Sequence, residues 1–319
     1  MADTQRWGRP GSAVAISVPR ASRSPLVRLR KWLGGSYAPY FYVAPFFVVF
    51  LAFFAYPVAY SFYVSLHHWS GVGPMRPVGL GNYSFVLSDS LWWDAVKTTG
   101  LLWVLVIPAG MLLSLIIAVA WNRPRFRGRN AALVMYILPT VVSIVAASEI
   151  FRILYDPTSG PINVVLGGLH LPTIPFLTSV PWARVGLALV RLWESVGLGA
   201  LFFSAALQNI SPELFEAAAV DGCGPIRQFF SITLPLLAGT VLFLTVVGTL
   251  YIFSLFAEPQ LIMSNGGPDN GTVTVGLYLF QMVQGLDLGT ASAVSFLMTL
   301  LMMIISIALF VGARRWTRA

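Results

Sequence analysis

Six apolar stretches, each long enough to cross a lipid bilayer, limit what this chain can fold into. A helix needs about 20 mostly apolar residues to span the hydrocarbon core. Six segments qualify: 39–66, 97–121, 131–154, 184–207, 236–257 and 290–312. Backbone amides and carbonyls find no water in lipid, so continuous runs of this kind must be helical. The sequence therefore predicts an all-α integral membrane protein with six transmembrane helices.

The composition favours the same fold class. Hydrophobic residues form 57% of the 319 residues and charged residues only 10%, against about 25% charged in ordinary soluble domains. A bilayer must solvate most of this surface. We expect a disordered basic tail at 1–37, a membrane domain at 38–313 and a short tail at 314–319.

Lysine and arginine are distributed unevenly among the connecting segments. Seven precede residue 32, four lie between 123 and 129, and three follow 313. Cytoplasmic segments of membrane proteins are enriched in these residues, so both termini are expected in the cytoplasm of a multi-pass inner-membrane protein. Arginines beside the spans meet anionic lipid headgroups, and the net charge of +8 therefore does not indicate nucleic-acid binding.

Motifs for catalysis or cofactor binding are missing from the sequence. Neither lysine, Lys31 or Lys97, follows a glycine, so no phosphate-binding loop exists. The three histidines lack the partners of a zinc site, and Cys223 has no second cysteine for an internal disulfide. We expect no catalytic residue, cofactor or metal in this chain.

The connection at 208–235 differs from the other loops. Ser211-Pro212-Glu213 is typical of a helix start, because serine caps free amides and proline is tolerated at the first helical position. The helix should run to about Val220 and end at Gly222. Gly224-Pro225 would start a second helical piece. Alanines and exposed carboxylates on the first helix suit docking to another protein.

This connection also carries a resemblance to a known family. Glu216-Ala217-Ala218, then Gly222, then Ile232-x-Leu234-Pro235 resemble the EAA loop of membrane subunits of bacterial binding-protein-dependent ABC importers. Four further segments resemble the sugar and glycerol-phosphate branch: 55–69, 78–99, 138–163 and 258–272. The chain is similar to the maltose F-type and glycerol-3-phosphate A-type subunits. It departs from the maltose protein by lacking its large periplasmic insertion and extra N-terminal spans.

The resemblance implies the membrane domain of a type I ABC importer, in which this loop forms a coupling helix. That helix lies in a cleft of a cytoplasmic ATPase, which supplies the ATP and Mg chemistry. The implied partners are a second homologous permease, two ATPase subunits and an extracytoplasmic solute-binding protein. The coupling positions carried over are Glu216, Ala217, Ala218, Asp221, Gly222, Ile232, Leu234 and Pro235.

Ionisable residues inside spans are costly and are therefore candidates for a solute pathway. Glu149 and Arg152, spaced for pairing on one helix face, have an equally good structural explanation. Arg191 and Glu194 have the same spacing, and Trp193 between them could stack on a sugar. The resemblance implies a contribution from the fifth span and points to Tyr251, Ser254, Phe256 and Glu258. Helix packing or an interfacial position explains each of these equally well.

The expected function is import of a sugar or related polyol by alternating access. A glycerol-phosphate or glycerophosphodiester importer on the same plan is an alternative, as is an ATP-independent secondary transporter. The Gly-Gly-Pro segment at 266–268 favours the carbohydrate branch. The sequence does not identify the solute.

Overall fold

The computed structural model describes residues 38–122 and 129–316, and its regular elements are almost all helical. The helices are α1 (Ala38–Phe50), α2 (Tyr56–Ser65), α3 (Gly81–Ser88), α4 (Ser90–Trp121), α5 (Arg129–Val141), α6 (Ile144–Leu154), α7 (Pro161–Gly168), α8 (Val180–Gln208), α9 (Pro212–Val220), α10 (Pro225–Gln228), α11 (Leu234–Leu236), α12 (Ala238–Phe253), α13 (Ala257–Leu261), α14 (Val275–Gln284) and α15 (Leu288–Trp316). Two π-helical turns, Leu51–Ala55 and Phe229–Thr233, join α1 to α2 and α10 to α11.

Within the described ranges, five helical segments are long and apolar enough to cross a membrane. They are Tyr40–Ser65, Ser90–Trp121, Val180–Gln208, Ala238–Leu261 and Leu288–Ala313. A bent pair, Val134–Val141 and Ile144–Leu154, brings the number to six when it is counted as one span. The six stretches predicted from the sequence overlap these segments, so the fold class is confirmed. The predicted tail at 1–37, residues 123–128 of the basic segment and residues 317–319 of the predicted tail at 314–319 lie outside the described residues, whereas 314–316 continue the last helix.

Residues 38–59 form a unit of their own, with α1, the first π-helical turn and the start of α2. The turn precedes Pro57, which has no amide hydrogen and whose ring would clash with the carbonyl four residues earlier. A π-helical turn is one way in which a helix accommodates such an interruption. Phe46, Phe50 and Phe54 stack along the helix with centroid distances of 6.0 and 5.2 Å. The exposed aromatic surface suits contact with lipid or another apolar partner.

The long helices α4 and α8 form the centre of the second unit, residues 60–316. They run in the same direction, because contacts join both their first turns and their last turns. Small residues allow this close approach. Ser114 Oγ donates to the Val196 carbonyl at 3.0 Å, and the same serine lies against Gly199. A buried apolar cluster, with Leu102, Tyr155 and Leu187 at its centre, extends this packing to neighbouring elements.

The third predicted span is broken rather than straight. The axes of Val134–Val141 and Ile144–Leu154 differ by 103°. Pro139 lies two residues before the end of α5 and cannot continue the helical hydrogen-bond ladder. Ser143 has extended backbone angles and begins the new direction. The prediction of one helix over 131–154 is therefore wrong in its geometry, although its position along the chain is right.

The connection between α13 and α14 is fixed to the first turns of α4 and α8. Arg184 donates through Nε to the Gly271 carbonyl at 2.7 Å and through Nη2 to Thr98 Oγ1 at 3.2 Å. The Val275 amide donates to Thr99 Oγ1 at 2.9 Å. This segment is thus an ordered connector at the end of the unit where α4 and α8 begin.

A short antiparallel hairpin lies at the same end. Strands β1 (His67–His68) and β2 (Arg76–Pro77) pair in the register His67 with Pro77 and His68 with Arg76. The Asn82 side-chain amide donates to the carbonyls of Ser65 and His67 at 2.8 and 2.9 Å. These bonds connect the hairpin to α3.

Candidate functional site

An arginine between two carboxylates lies within the membrane-spanning part of the chain. Arg191 Nη1 donates to Glu194 Oε2 at 2.5 Å and to Glu258 Oε1 at 3.0 Å. The side chains of Arg191 and Glu258 are only 14% and 3% exposed. Charges removed from water need close partners to offset their lost hydration. Arg191 therefore has its charge matched on two sides, and the cluster holds no unpaired positive charge.

Two elements distant in sequence bring this cluster together. Arg191 and Glu194 are three residues apart on α8, a spacing that places them on one helix face. Glu258 belongs to α13 and is 67 residues from Arg191. Phe256, with a φ of −138°, interrupts the helix between α12 and α13. Glu258 lies two residues beyond this interruption and bonds across to α8.

A cavity of about 380 Å³ lies beside the cluster. This volume falls within the range typical of small-molecule sites, about 300–1,000 Å³. The walls come from α4, the bend between α5 and α6, α8 and α12. The lining residues are Val106, Ile107, Gly110, Met111, Ser114, Pro139, Thr140, Val142, Ile144, Arg191, Glu194, Ser195, Leu198, Gly199, Leu244, Val247, Gly248, Tyr251 and Ile252.

The cavity combines an aromatic ring with polar groups. The Arg191 guanidinium carbon lies 6.0 Å from the centroid of the Tyr251 ring, within the range of a cation–π contact. Ser195 Oγ donates to the Arg191 carbonyl at 2.7 Å. Among the described residues, the buried Arg191 Nε has no hydrogen-bond partner. A solute in this cavity would therefore meet the Tyr251 ring, the Glu194 carboxylate and the Ser195 hydroxyl.

The predicted pathway residues fall into two groups. Arg191, Glu194 and Tyr251 line the cavity, and Glu258 is buried against Arg191 outside that lining. The other three lie elsewhere. Trp193 packs edge-on against Phe151 at 5.2 Å, Ser254 ends α12, and Phe256 packs against Phe280 at 4.9 Å.

Several lining residues were not predicted from the sequence. Ser195 follows Arg191 by four residues, so helical spacing alone could have added it to the same face. Ser114 and Gly248 come from different spans, and nothing in their local sequence indicates a cavity. Thr140 lines it because the third span bends at this point, and Pro139 was the available signal for that bend.

Glu149 and Arg152 form a separate ion pair on α6. Their closest side-chain atoms are 3.1 Å apart and both side chains are about half exposed. The pairing on one helix face expected from their spacing is confirmed. Neither residue lines the cavity, which supports the structural explanation for this pair.

The connection between α8 and α12 contains the second candidate site. Ser211 Oγ accepts from the Glu213 amide at 3.3 Å at the start of α9. At its end Gly222 has a φ of +75°, a conformation that glycine adopts most readily. The Cys223 amide donates to the Ala218 carbonyl at 2.8 Å, which satisfies a carbonyl of the last turn. The helix predicted from Ser211 to about Val220, and its glycine end, are confirmed.

Further contacts make this connection an ordered unit. Gln228 Nε2 donates to the carbonyls of Phe215 and Cys223 at 3.3 and 2.9 Å, so α10 is joined to the body of α9 and to the turn that follows it. Val220 and Ile226, 87% and 76% exposed, lie on either side of that turn. Exposed apolar side chains beside carboxylates are typical of a protein-docking surface.

The predicted coupling residues all lie in this connection. Glu216, Ala217, Asp221, Gly222 and Pro235 are exposed, whereas Ala218, Ile232 and Leu234 are half-buried. Ile232 lies in the second π-helical turn, and Leu234 and Pro235 in α11. Their role in coupling stays a prediction.

Membrane-spanning helices around a mostly apolar cavity that holds a few polar groups, with a capped helix in a long connection, are typical of a subunit of a membrane transporter. Residues 107–318 match the family described as binding-protein-dependent transport system inner membrane component. The chain belongs to this family.

Relatives in several bacteria resemble most of the chain. The lactose transport system permease protein LacF of Rhizobium radiobacter is 30% identical over 277 residues, 86% of this chain and 93% of the relative. The sulfoquinovosyl glycerol transport system permease protein SmoG of Agrobacterium fabrum is 31% identical, covering 90% and 94%. The sn-glycerol-3-phosphate transport system permease protein UgpA of Salmonella typhi is 32% identical, covering 91% and 96%.

A solved structure has the same fold. A chain of a bacterial alginate ABC transporter, crystallised with an alginate pentasaccharide-bound periplasmic protein, superimposes with a TM-score of 0.76. The alignment covers 93% of this chain and 99% of that chain at 22% identity. The likeness is evidence for the type I importer membrane fold.

Family membership decides several questions left open by the sequence. The chain is a multi-pass permease subunit of an ABC importer in the inner membrane and works with a solute-binding protein. It is not itself an enzyme, since ATP hydrolysis belongs to a separate subunit. This membership argues against the ATP-independent secondary transporter.

Proposed function

We propose that this subunit imports a sugar or related polyol through the cavity between α4, α8 and α12. The observation that carries the proposal is the combination of Tyr251, Arg191, Glu194 and Ser195 in that cavity. Sugars present C–H faces that pack on aromatic rings, and hydroxyls that need hydrogen-bond partners. The relative named for lactose transport supports the same solute class.

A glycerol-phosphate solute is the second candidate, supported by the relative named for sn-glycerol-3-phosphate transport. Phosphate recognition by arginine depends on an available positive charge as well as on bidentate geometry. Here two carboxylates already bond to Arg191 Nη1 and offset its charge. The arrangement therefore favours an uncharged solute over a phosphate ester.

The α9 connection is the proposed site of coupling to a partner ATPase that binds ATP and Mg. Closure of the ATPase would move α9 and, through α10 and α11, the cavity-lining helix α12. ATP can shift the equilibrium between two conformations of the complex only by the difference in its affinity for them, and a rigid connector passes that difference to the membrane helices. The proposal is supported by the capped ends of α9, the Gln228 bonds and the exposed carboxylates of Glu216 and Asp221.

The proposed assembly contains this chain, a second homologous permease, two ATPase subunits and an extracytoplasmic solute-binding protein. Both termini would lie in the cytoplasm, as would the connection at 208–235. The distribution of arginines and lysines supports this orientation. Lipid would cover the apolar faces left exposed by the fold.

The test is ATP-dependent uptake in vesicles that contain the complete complex. The solute panel is lactose, sulfoquinovosyl glycerol, arabino-oligosaccharides and sn-glycerol 3-phosphate. We expect Glu216→Lys and Gly222→Asp to reduce both uptake and solute-stimulated ATP hydrolysis at least about tenfold. The matched control is Asp94→Lys, a charge reversal at an exposed α4 residue that pairs with Lys97. Unchanged uptake in both loop variants would refute the coupling role, and a preference for the phosphate ester would refute the solute class.

A further inference from the structure

Glu258 is buried behind the cavity wall, yet it bonds to a residue that forms part of that wall. Its carboxylate accepts from Arg191 Nη1 at 3.0 Å, and its side chain is 3% exposed. Among the described residues that line the cavity, Arg191 is the sole basic side chain and Glu194 the sole acidic one. Glu258 therefore alters the charge balance of a cavity whose wall it does not form.

We propose that Glu258 is a specificity-determining residue that, together with Glu194, neutralises Arg191 and so excludes anionic solutes. The solute class is accordingly uncharged carbohydrate, and phosphorylated solutes are rejected at this site. The inference rests on the proposed function, because it takes the cavity to be the solute site.

The geometry of the hydrogen bonds supports this role. One guanidinium nitrogen, Nη1, donates to two carboxylates that belong to different helices, α8 and α13. An incoming phosphate would meet a guanidinium whose positive charge is already offset by both carboxylates. A hydroxyl of a neutral sugar needs only a hydrogen bond and does not depend on that charge.

The charge balance of the cluster also disfavours anionic solutes. With Glu258 in place, two acidic groups face one basic group, so the cluster offers an anion no net attraction. Like charges brought together in a site with little water repel strongly. Replacing Glu258 by glutamine keeps an acceptor oxygen for Arg191 but raises the formal charge of the cluster by one. The variant should then tolerate an anion that the wild type rejects.

A purely structural role for Glu258 predicts a different result. Loss of a supporting contact would weaken assembly or the binding of every solute alike. The charge role predicts a selective gain for anions, which decreases at high ionic strength because salt screens the interaction. Selectivity and salt dependence therefore separate the two explanations.

The experiment is equilibrium dialysis of radiolabelled sn-glycerol 3-phosphate and glycerol against the purified permease–ATPase complex, without the solute-binding protein. For the wild type we expect glycerol 3-phosphate to bind no more tightly than glycerol. For Glu258→Gln we expect its affinity to rise at least about tenfold, while glycerol changes less than about threefold. Glu149→Gln, which removes a carboxylate of α6 that does not line the cavity, should match the wild type.

Two results would overturn the inference. One is a Glu258→Gln complex whose affinity for glycerol 3-phosphate stays within about threefold of the wild-type affinity. The same conclusion follows if neither complex binds glycerol 3-phosphate measurably. The other is a wild-type complex that binds glycerol 3-phosphate at least about tenfold more tightly than glycerol. That result alone would refute the inference, even if the variant does not assemble. The proposed function fails separately, through the uptake panel and the loop variants, so the two failures are distinguishable.

Discussion

Replacing Gly197 by alanine should force α5 and α8 apart. A Cβ built at Gly197 would lie 2.5 Å from the carbonyl carbon of Tyr136 and closer still to its oxygen. Both are backbone atoms, so no side-chain rotation can relieve the overlap. Unbonded carbon atoms need about 3.5 Å or more. The two helices would therefore have to separate by about 1 Å.

The magnitude follows from two opposing effects. Forcing an extra carbon into a packed interior typically costs about 1–3 kcal/mol. Alanine is favoured over glycine within a helix by about 1 kcal/mol, which offsets part of this cost. Because the overlap is with backbone atoms, we expect the cost in the upper part of this range, about 2–3 kcal/mol, and a net loss of about 1–2 kcal/mol in the free energy of unfolding. Uptake should also fall, because the end of α5 carries cavity residues Pro139 and Thr140.

The assay is unfolding of the purified chain by SDS in mixed micelles, followed by tryptophan fluorescence. The matched control is Gly239→Ala on α12, where an added Cβ would meet no atom within 4 Å. The control should be neutral or stabilising by up to about 1 kcal/mol. Equal stabilities for the two variants would refute the claim that α5 and α8 are in backbone contact at Gly197.

Two further predictions concern connections outside the spans. Arg184→Gln should speed amide hydrogen exchange in residues 264–274 about tenfold, because a charged hydrogen bond to the Gly271 carbonyl is lost. The control is Arg152→Gln, which breaks an exposed ion pair and should leave that exchange unchanged. At Asp156, hydrogen bonds from two following backbone amides lower the carboxyl pKa in the folded chain. The ionised carboxylate therefore stabilises the fold above the unfolded pKa of about 3.9, and this stabilisation is lost as pH falls through the folded pKa. The stability difference between wild type and Asp156→Asn, measured by SDS titration at pH 7 and pH 3, should therefore shrink at the lower pH, and a constant difference would contradict this.

The sequence predicts features of the fold that depend on local chemistry. Run length is enough to find the spans, because the bilayer sets one minimum length for every helix that crosses it. The start of α9 was likewise predictable, since Ser211 caps the helix and Pro212 occupies its first position. The glycine end at Gly222 follows from a backbone conformation that few other residues adopt.

The candidate site was predictable only in part. Arg191 and Glu194 were found because charge within an apolar run is costly and conspicuous. The bond from Arg191 to Glu258 could not be predicted, since 67 residues separate the two and no local sequence pattern indicates that they lie close together. Trp193 was chosen for its position between two charges, but adjacent residues of a helix point in different directions. The structure accordingly has Trp193 against Phe151 and outside the cavity.

Breaks in the helices explain why the cavity lies where it does. α5 ends shortly after Pro139, and α12 ends before Phe256, so backbone groups at both points leave the regular helical ladder. Lipid cannot satisfy such groups, and irregular backbone at membrane depth is tolerated only inside protein or beside a polar cavity. The break near Pro139 lies at the cavity wall, and the one at Phe256 lies two residues before Glu258, which bonds to Arg191. The interruptions thus coincide with one wall of the site and with the residue that we propose sets its charge.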